Sequence, residues 1–214
     1  MTRLANPELP ERILKEAEQI VTDSGHESLN MRDLARRVGV SATAIYHYFA
    51  SKEALLLQIK LATAEKLNRR IRAIDPQLDP HESLHRLGVQ YIEFAEEHPN
   101  LYRLLFETPI GSTPLGEADQ PVLYYTYYAA RNALERMAAS KTHLLDPRYG
   151  AMMGWIMLHG FSSLLMSGTL QLAEGMDRAE LKELFLRFYT GGGMAEYTGM
   201  TEQRGMTDRP KGGA

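Results

Sequence analysis

Four capping residues between positions 30 and 51 constrain this chain more than any other feature: Asn30, Gly39, Ser41 and Ser51. Asn and Ser accept hydrogen bonds from the unpaired N–H groups that open a helix, and Gly takes the left-handed conformation that closes one. The first helix, opened by Asn30, carries Leu34, Ala35 and Val38 and stops at Gly39. Ser41 opens a second short helix bearing Ile45 and Phe49, and Ser51 a long one with Leu55, Leu56, Ile59, Leu67 and Ile71. Caps spaced this closely leave little room for the boundaries to slip.

The rest of the chain has the same character. Ile13, Leu14, Ala17, Ile20 and Val21 form one helical face that Gly25 can end. Asp75–Pro76 and Asp79–Pro80 make a break, and Pro80 suits a first helical position. Leu84, Leu87, Tyr91 and Phe94 follow, then a short helix from Pro99 with Leu101, Leu104 and Leu105. Residues 107–121 hold three prolines and two glycines and read as the main internal loop. Helices are expected over 122–140, from Asp146–Pro147 to about Ala173, and from an Asp177/Glu180 capping box through Leu181, Leu184, Phe185 and Phe188. No period-2 strand pattern and no internal repeat is visible. The expectation is an all-α chain. Residues 1–55 would form a three-helix module with 51–74 as the linking helix, 75–192 a second helical domain, and 193–214 a disordered tail.

Composition narrows the function classes. The chain has 214 residues and no cysteine, which excludes a disulfide framework, a cysteine nucleophile and Cys-ligated metal sites. The opening MTRLANPELPERI lacks the apolar run of a secretory signal, so a cytoplasmic protein is expected. Net charge is −3, but it is unevenly spread. Residues 1–70 hold 11 Lys and Arg against 9 Asp and Glu, and the remainder 13 against 18. Within 28–60, Arg32, Arg36, Arg37, Lys52 and Lys60 face only Asp33 and Glu53. The net charge does not itself point to nucleic acid; the asymmetry that matters is a basic first module on an acidic body.

Gly39-Val40-Ser41 is the tight, Gly-containing turn that sets one short helix across another in a DNA-binding helix-turn-helix. The second helix would bury Ile45 and Phe49 and present Ala42, Thr43, Tyr46 and His47. Small residues near its start allow close approach to base edges. Lys52, at the next helix N-terminus, can meet a phosphate together with the first-turn N–H groups. The competing interpretation is an ordinary helical corner with a solvated polar face.

The run from Ser28 to Leu55 resembles the DNA-binding segment of TetR-type transcriptional regulators. Gly25, Leu34-Ala35, Gly39-Val40-Ser41, Ile45-Tyr46, Phe49 and Lys52-Glu53-Ala54-Leu55 carry the match. Two departures, Asn30-Met31 for a Thr pair and Thr43-Ala44 for Gly-Thr, touch the cap and the base-reading surface. The resemblance implies phosphate contacts from Ser41, Tyr46 and Lys52, and base readout from Ala42, Thr43 and His47. Arg32 can reach a guanine through O6 and N7. Arg36 and Arg37 are equally basic and equally well read as solvated. Trp155, His159 and Gly160, with His98 to Phe106, are similar to the Trp-His-Gly subgroup of these proteins. A repressor is implied, released from a pseudo-palindromic operator by a small molecule.

Residues 149–173 contain no Asp, Glu, Lys or Arg. That is membrane-spanning length, but Ser162, Ser163, Ser167, Gln171, His159 and several glycines argue against a span. An apolar helix in a soluble protein is covered on every side. Residues 147–173 and 177–190 are therefore expected to build a homodimer interface, two helices from each copy. The aromatic run Tyr124, Tyr125, Tyr127 and Tyr128 is expected on one helix. With Met152, Trp155 and His159 on another, Tyr124, Tyr125 and Tyr128 could line a pocket for a mostly apolar or aromatic effector. Each residue alone is more readily core packing, and it is the set that points to a cavity.

One motif competes. His81-Glu82-Ser83-Leu84-His85 matches the H-E-x-x-H pattern of zinc hydrolases. No third ligand stands out downstream, and His81 falls in a first helical turn. No metal or other cofactor and no enzymatic activity are expected. The two rivals to a regulator are a zinc hydrolase using this triad and a helical ligand carrier without DNA binding.

Overall fold

The computed structural model describes residues 7–109, 113–139, 146–168, 170 and 177–190. The expected tail 193–214, the helix end near Ala173, Gln171 and the terminal Ser140 lie outside them. Among the described residues there are ten α-helices, one 3-10 turn and no strand. The helices are α1 (Leu9–Ser24), α2 (Met31–Val38), α3 (Ala42–Tyr48), α4 (Lys52–Arg72), α5 (Pro80–Glu97), α6 (Pro99–Glu107), α7 (Asp119–Leu123), α8 (Tyr125–Ala139), α9 (Pro147–Ser167) and α10 (Arg178–Tyr189). The 3-10 turn is His26–Ser28, between α1 and α2. No helix here is long and apolar enough to cross a membrane.

The described residues of Met1–Ala73 and Glu93–Thr126 form one compact unit, and those of Ile74–Ile92 and Tyr127–Ala214 a second. In the first, Ile13, Val21, Leu34, Ile45, Leu55 and Ile59 are fully enclosed. Burying each such side chain contributes about 1.5–3 kcal/mol. Leu101 and Leu104 of α6 belong to this same core. Helix α6 packs on α1 and α4, so the core beneath α2 and α3 is completed by a helix that lies well beyond them in the chain. Asn100 Nδ2 donates to the Thr22 carbonyl (3.0 Å), joining the start of α6 to the end of α1. Ion pairs Lys66–Glu18 and Arg70–Glu97 add surface clasps, and the Arg70 guanidinium also lies over the Phe94 ring.

The aromatic run departs from expectation. Tyr124 ends α7 instead of continuing into α8, so the four tyrosines do not share one helix. The Val122 carbonyl, which would continue the helical ladder, instead accepts from Asn68 Nδ2 at 2.8 Å.

In the second unit α10 packs tightly at two glycines. A Cβ on Gly88 would lie 2.7 Å from Leu186 Cδ2, and one on Gly154 would lie 3.0 Å from the Tyr189 ring. Phe161 and Phe185 stack at 4.0 Å and 6°. Enclosure raises the Tyr189 hydroxyl well above the ordinary tyrosine range. Asp177 and Glu180 form a reciprocal capping box, and Asp146 caps α9. Arg148, 2.7 Å away, holds the Asp146 carboxyl down at about 2.

Helix α9 has two apolar faces. Ala151, Leu158, Ser162 and Leu165 are buried. Tyr149, Met152, Met153, Ile156 and Leu164 form an open stripe on the other side, and nothing lies within 4 Å of where a Gly160 Cβ would sit. Leu184 and Phe188 of α10 are also exposed, although their spacing with Leu181 and Phe185 reads as one inward face.

Candidate nucleic-acid interface

The reader is set by its caps. Asn30 Oδ1 accepts from the Arg32 and Asp33 amides (2.9 and 3.3 Å), so α2 begins without the Thr pair. Gly39 ends it at φ 76°, ψ 33°. The Gly39 amide donates to Arg36 O (3.2 Å) and the Val40 amide to Ala35 O (2.9 Å). This doubly bonded left-handed stop needs a residue without Cβ strain. Ser41 Oγ then accepts from the Ala44 amide at 3.2 Å and starts α3, leaving its own proton for an acceptor outside. Ser51 Oγ caps α4 in the same way, through the Ala54 amide at 3.1 Å.

With Ile45 buried and Phe49 packed against the core, α3 turns its other side outward. Thr43, Tyr46 and His47 are exposed and Ala42 is half-covered. His47 meets the Tyr48 ring edge-on at 5.2 Å. The arrangement is a short helix held at both ends, displaying a hydroxyl, a phenol and an imidazole beside small residues. Each of those groups can donate to a phosphate oxygen or a base acceptor.

The basic residues separate into two kinds. Arg36 pairs with Asp33 (2.7 Å), and Arg37 with Glu16 of α1 (3.2 Å). Arg12 of α1 donates to the Val38 carbonyl (3.1 Å), which secures the end of α2. Arg32 is exposed and has no side-chain partner among the described residues. Lys52 reaches only the Glu27 carbonyl, at a long 3.5 Å. The Glu53 carboxyl in the same turn sits below its ordinary pKa because the α4 N-terminal amide and Ser51 bond it. Lys60 does not belong to this basic surface. It is 3% exposed, and its ammonium is bonded to the Thr108 and Pro109 carbonyls. Nothing local in the sequence marks Lys60 as buried, nor Arg12 as a clasp on α2.

The six candidate effector contacts fall into both units. Tyr124 and Tyr125 belong to the first, where the Arg72 guanidinium lies 4.5 Å from the Tyr125 ring centre. Tyr128, Met152, Trp155 and His159 belong to the second. Tyr128 lies edge-on to Tyr127 with Arg131 over its ring, and Met152 is part of the open stripe on α9. Trp155 and His159 are half-buried. A separate recess of about 320 Å³ in the first unit is bordered by His26, Glu27, Arg103 and Glu107 and by none of these six.

The H-E-x-x-H residues are spent on α10 and on their own helix. His81 Nδ1 lies 3.0 Å from the Thr190 carbonyl, His85 Nε2 lies 3.9 Å from Glu183, and Glu82 accepts from Arg86 at 2.6 Å. No group of three or more His, Asp or Glu with metal-binding geometry occurs among the described residues.

Two family models match the chain. Residues 13–59 match that of the bacterial regulatory proteins of the tetR family, and residues 84–188 that of the tetracyclin repressor-like C-terminal domain. An uncharacterized HTH-type transcriptional regulator, Rv0681 of Mycobacterium tuberculosis, is 24% identical over 78% of this chain and 81% of its own length. The HTH-type transcriptional activator FasR of Mycolicibacterium smegmatis is 28% identical, and the match spans only about half of either protein, 52% of each. The crystal structure of the TetR family transcriptional regulator PfmR from Thermus thermophilus superposes with a TM-score of 0.56 at 25% identity, covering 82% of this chain and 97% of that one. The capped helix-turn-helix and both family matches lead to one conclusion: the chain belongs to the TetR family and is a DNA-binding transcriptional regulator.

Proposed function

We propose that the protein is a cytoplasmic repressor that binds a pseudo-palindromic operator as a homodimer and leaves it when a small, mostly apolar molecule binds. The observation that carries the reading is the outward face of α3, Thr43, Tyr46 and His47, held between the Ser41 cap and the buried Ile45. In this reading Ser41, Tyr46 and Lys52 contact phosphates. Ala42, Thr43, His47 and Arg32 read bases. Two copies are needed because one short helix covers too few base pairs. Recognition helices one DNA turn apart, about 34–36 Å, would enter successive major grooves.

The dimer would form through α9 and α10. The support is their open apolar stripe, Tyr149, Met153, Ile156, Leu164, Leu184 and Phe188, larger than scattered surface residues require. Tyr124, Tyr125, Tyr128, Met152, Trp155 and His159 are proposed as effector contacts, and Trp155 with His159 and Gly160 as a Trp-His-Gly signature. A ligand shifts the operator equilibrium only to the extent that it binds the two dimer shapes differently.

The test is selection of bound duplexes from a random pool by the purified protein. A palindromic motif with half-sites about one to one and a half turns apart supports the reading. No enrichment by a folded dimer at low salt removes it and leaves a ligand carrier.

A further inference from the structure

Lys60 and Thr63 lie one turn apart on α4, and both face the interior, at 3% and 0% exposure. The Lys60 ammonium donates to the carbonyls of Thr108 (2.7 Å) and Pro109 (2.8 Å), just past the end of α6. Those bonds use two of its three protons. They supply dipoles but no counter-charge, and no carboxylate pairs with Lys60 among the described residues. Thr63 Oγ1 is buried without a hydrogen-bond partner, and does not take the common option of bonding a carbonyl one turn back. Enclosure penalises the charged amine and lowers its pKa. An uncompensated buried charge and an orphaned buried hydroxyl are each unfavourable. One anion lodged between them would relieve both.

We propose that Lys60 and Thr63 form an acid-recognising effector subsite within the first unit, and that the effector is an organic monoanion whose carboxylate takes the third Lys60 proton and the Thr63 hydroxyl. This rests on the effector-responsive reading given above. One ammonium and one hydroxyl match a carboxylate; a phosphate dianion would leave acceptors unfilled. Of the other inward residues nearby on α4, Ala64, Leu67 and Ile71 are apolar, and the buried Asn68 gives its amide to the Val122 carbonyl, so the acid carries an apolar body. The position also suits regulation. Ile59, next to Lys60, and Leu104 of α6 belong to the core that supports the reader. A carboxylate on the third proton would bear directly on the ammonium that ties α4 to the segment just past α6.

The experiment is calorimetric titration and thermal melting of the full chain with hexanoate, dodecanoate, phenylacetate and 4-hydroxybenzoate, each against its own carboxamide. At least one acid should bind about tenfold tighter than its amide, with Lys60→Met abolishing the preference. Because Lys60→Met also frees the Thr108 and Pro109 carbonyls, Thr63→Val provides a second arm. It keeps the shape, and should weaken the acid about five- to tenfold while leaving amide binding as it was. The proposal falls if no acid outbinds its amide, or if folded Thr63→Val binds the acid like the parent. Acids and amides that bind equally and both release operator would overturn the acid subsite and keep the effector reading. Lys60-dependent acid binding with no operator release would do the reverse.

Discussion

Arg36 donates to Asp33 across 2.7 Å along α2, whereas Arg32, one turn earlier, is exposed and has no partner among the described residues. Two arginines of the same helix are therefore chemically unequal. Arg32 can present its fork to a guanine edge without breaking an existing bond. Arg32→Ala should cost about 1–3 kcal/mol, concentrated at one base position. Arg36→Ala removes an exposed pair worth about 0–1 kcal/mol and should change affinity much less. Binding to a panel of single-base operator variants separates the two. Loss spread evenly over all positions would refute base reading by Arg32.

Lys52 makes a different claim. Its amine stands at the N-terminus of α4 with only a 3.5 Å contact to the Glu27 carbonyl. A phosphate there would meet a cation and a helix N-terminus together. Lys52→Ala should weaken binding to every sequence and reduce the magnitude of the salt slope by about one unit. Titrations at several salt concentrations check this, and an unchanged slope would take Lys52 off the phosphate backbone.

What the sequence made legible follows the range of the interactions. Asn30, Gly39, Ser41 and Ser51 act on amides within a few residues of themselves, so their effect is local and the helix boundaries could be read directly. Lys60 counted as one more positive charge in a basic segment, and only the return of the chain at Thr108 and Pro109 reveals it as buried. Leu101 and Leu104 read as one face of a short helix, but nothing near them says that they complete the reader core. The break at Tyr124 is hidden for the same reason, since the side chain that meets the Val122 carbonyl beside it, Asn68, lies over fifty residues earlier. The proposed effector contacts were the least accessible part, because aromatic and Met residues at helical spacing serve cores and cavities alike.

The open stripe on α9 gives a prediction about assembly. Ile156 is 54% exposed and lies at the centre of that stripe. Ile156→Glu should be tolerated by the fold of one chain, because the position is solvated there. In a dimer built on α9 and α10 it would bury two uncompensated carboxylates, at several kcal/mol each. Light scattering after size exclusion should show a monomer, with operator affinity lost alongside. A variant that remains dimeric would place the interface on another surface.

Gly88 offers a test of packing in the second unit. Alanine in place of glycine within a helix ordinarily gains about 1 kcal/mol. Here the new methyl would lie 2.7 Å from Leu186 Cδ2, 3.4 Å from the Tyr189 ring and 3.5 Å from Leu158 Cδ2. Leu186 could move its terminal methyl, but it is 5% exposed and the ring and Leu158 close the other directions. Overpacking of this kind costs about 1–3 kcal/mol, so the expected net change is a loss of up to about 2 kcal/mol. Gly160, with nothing within 4 Å, is the control. In the Ile156→Glu background, where the stripe is open, Gly160→Ala should recover the ordinary helix gain. Denaturant midpoints of the two variants should move in opposite directions, and a rise for Gly88→Ala would mean that α5 and α10 are not packed as closely as these distances require.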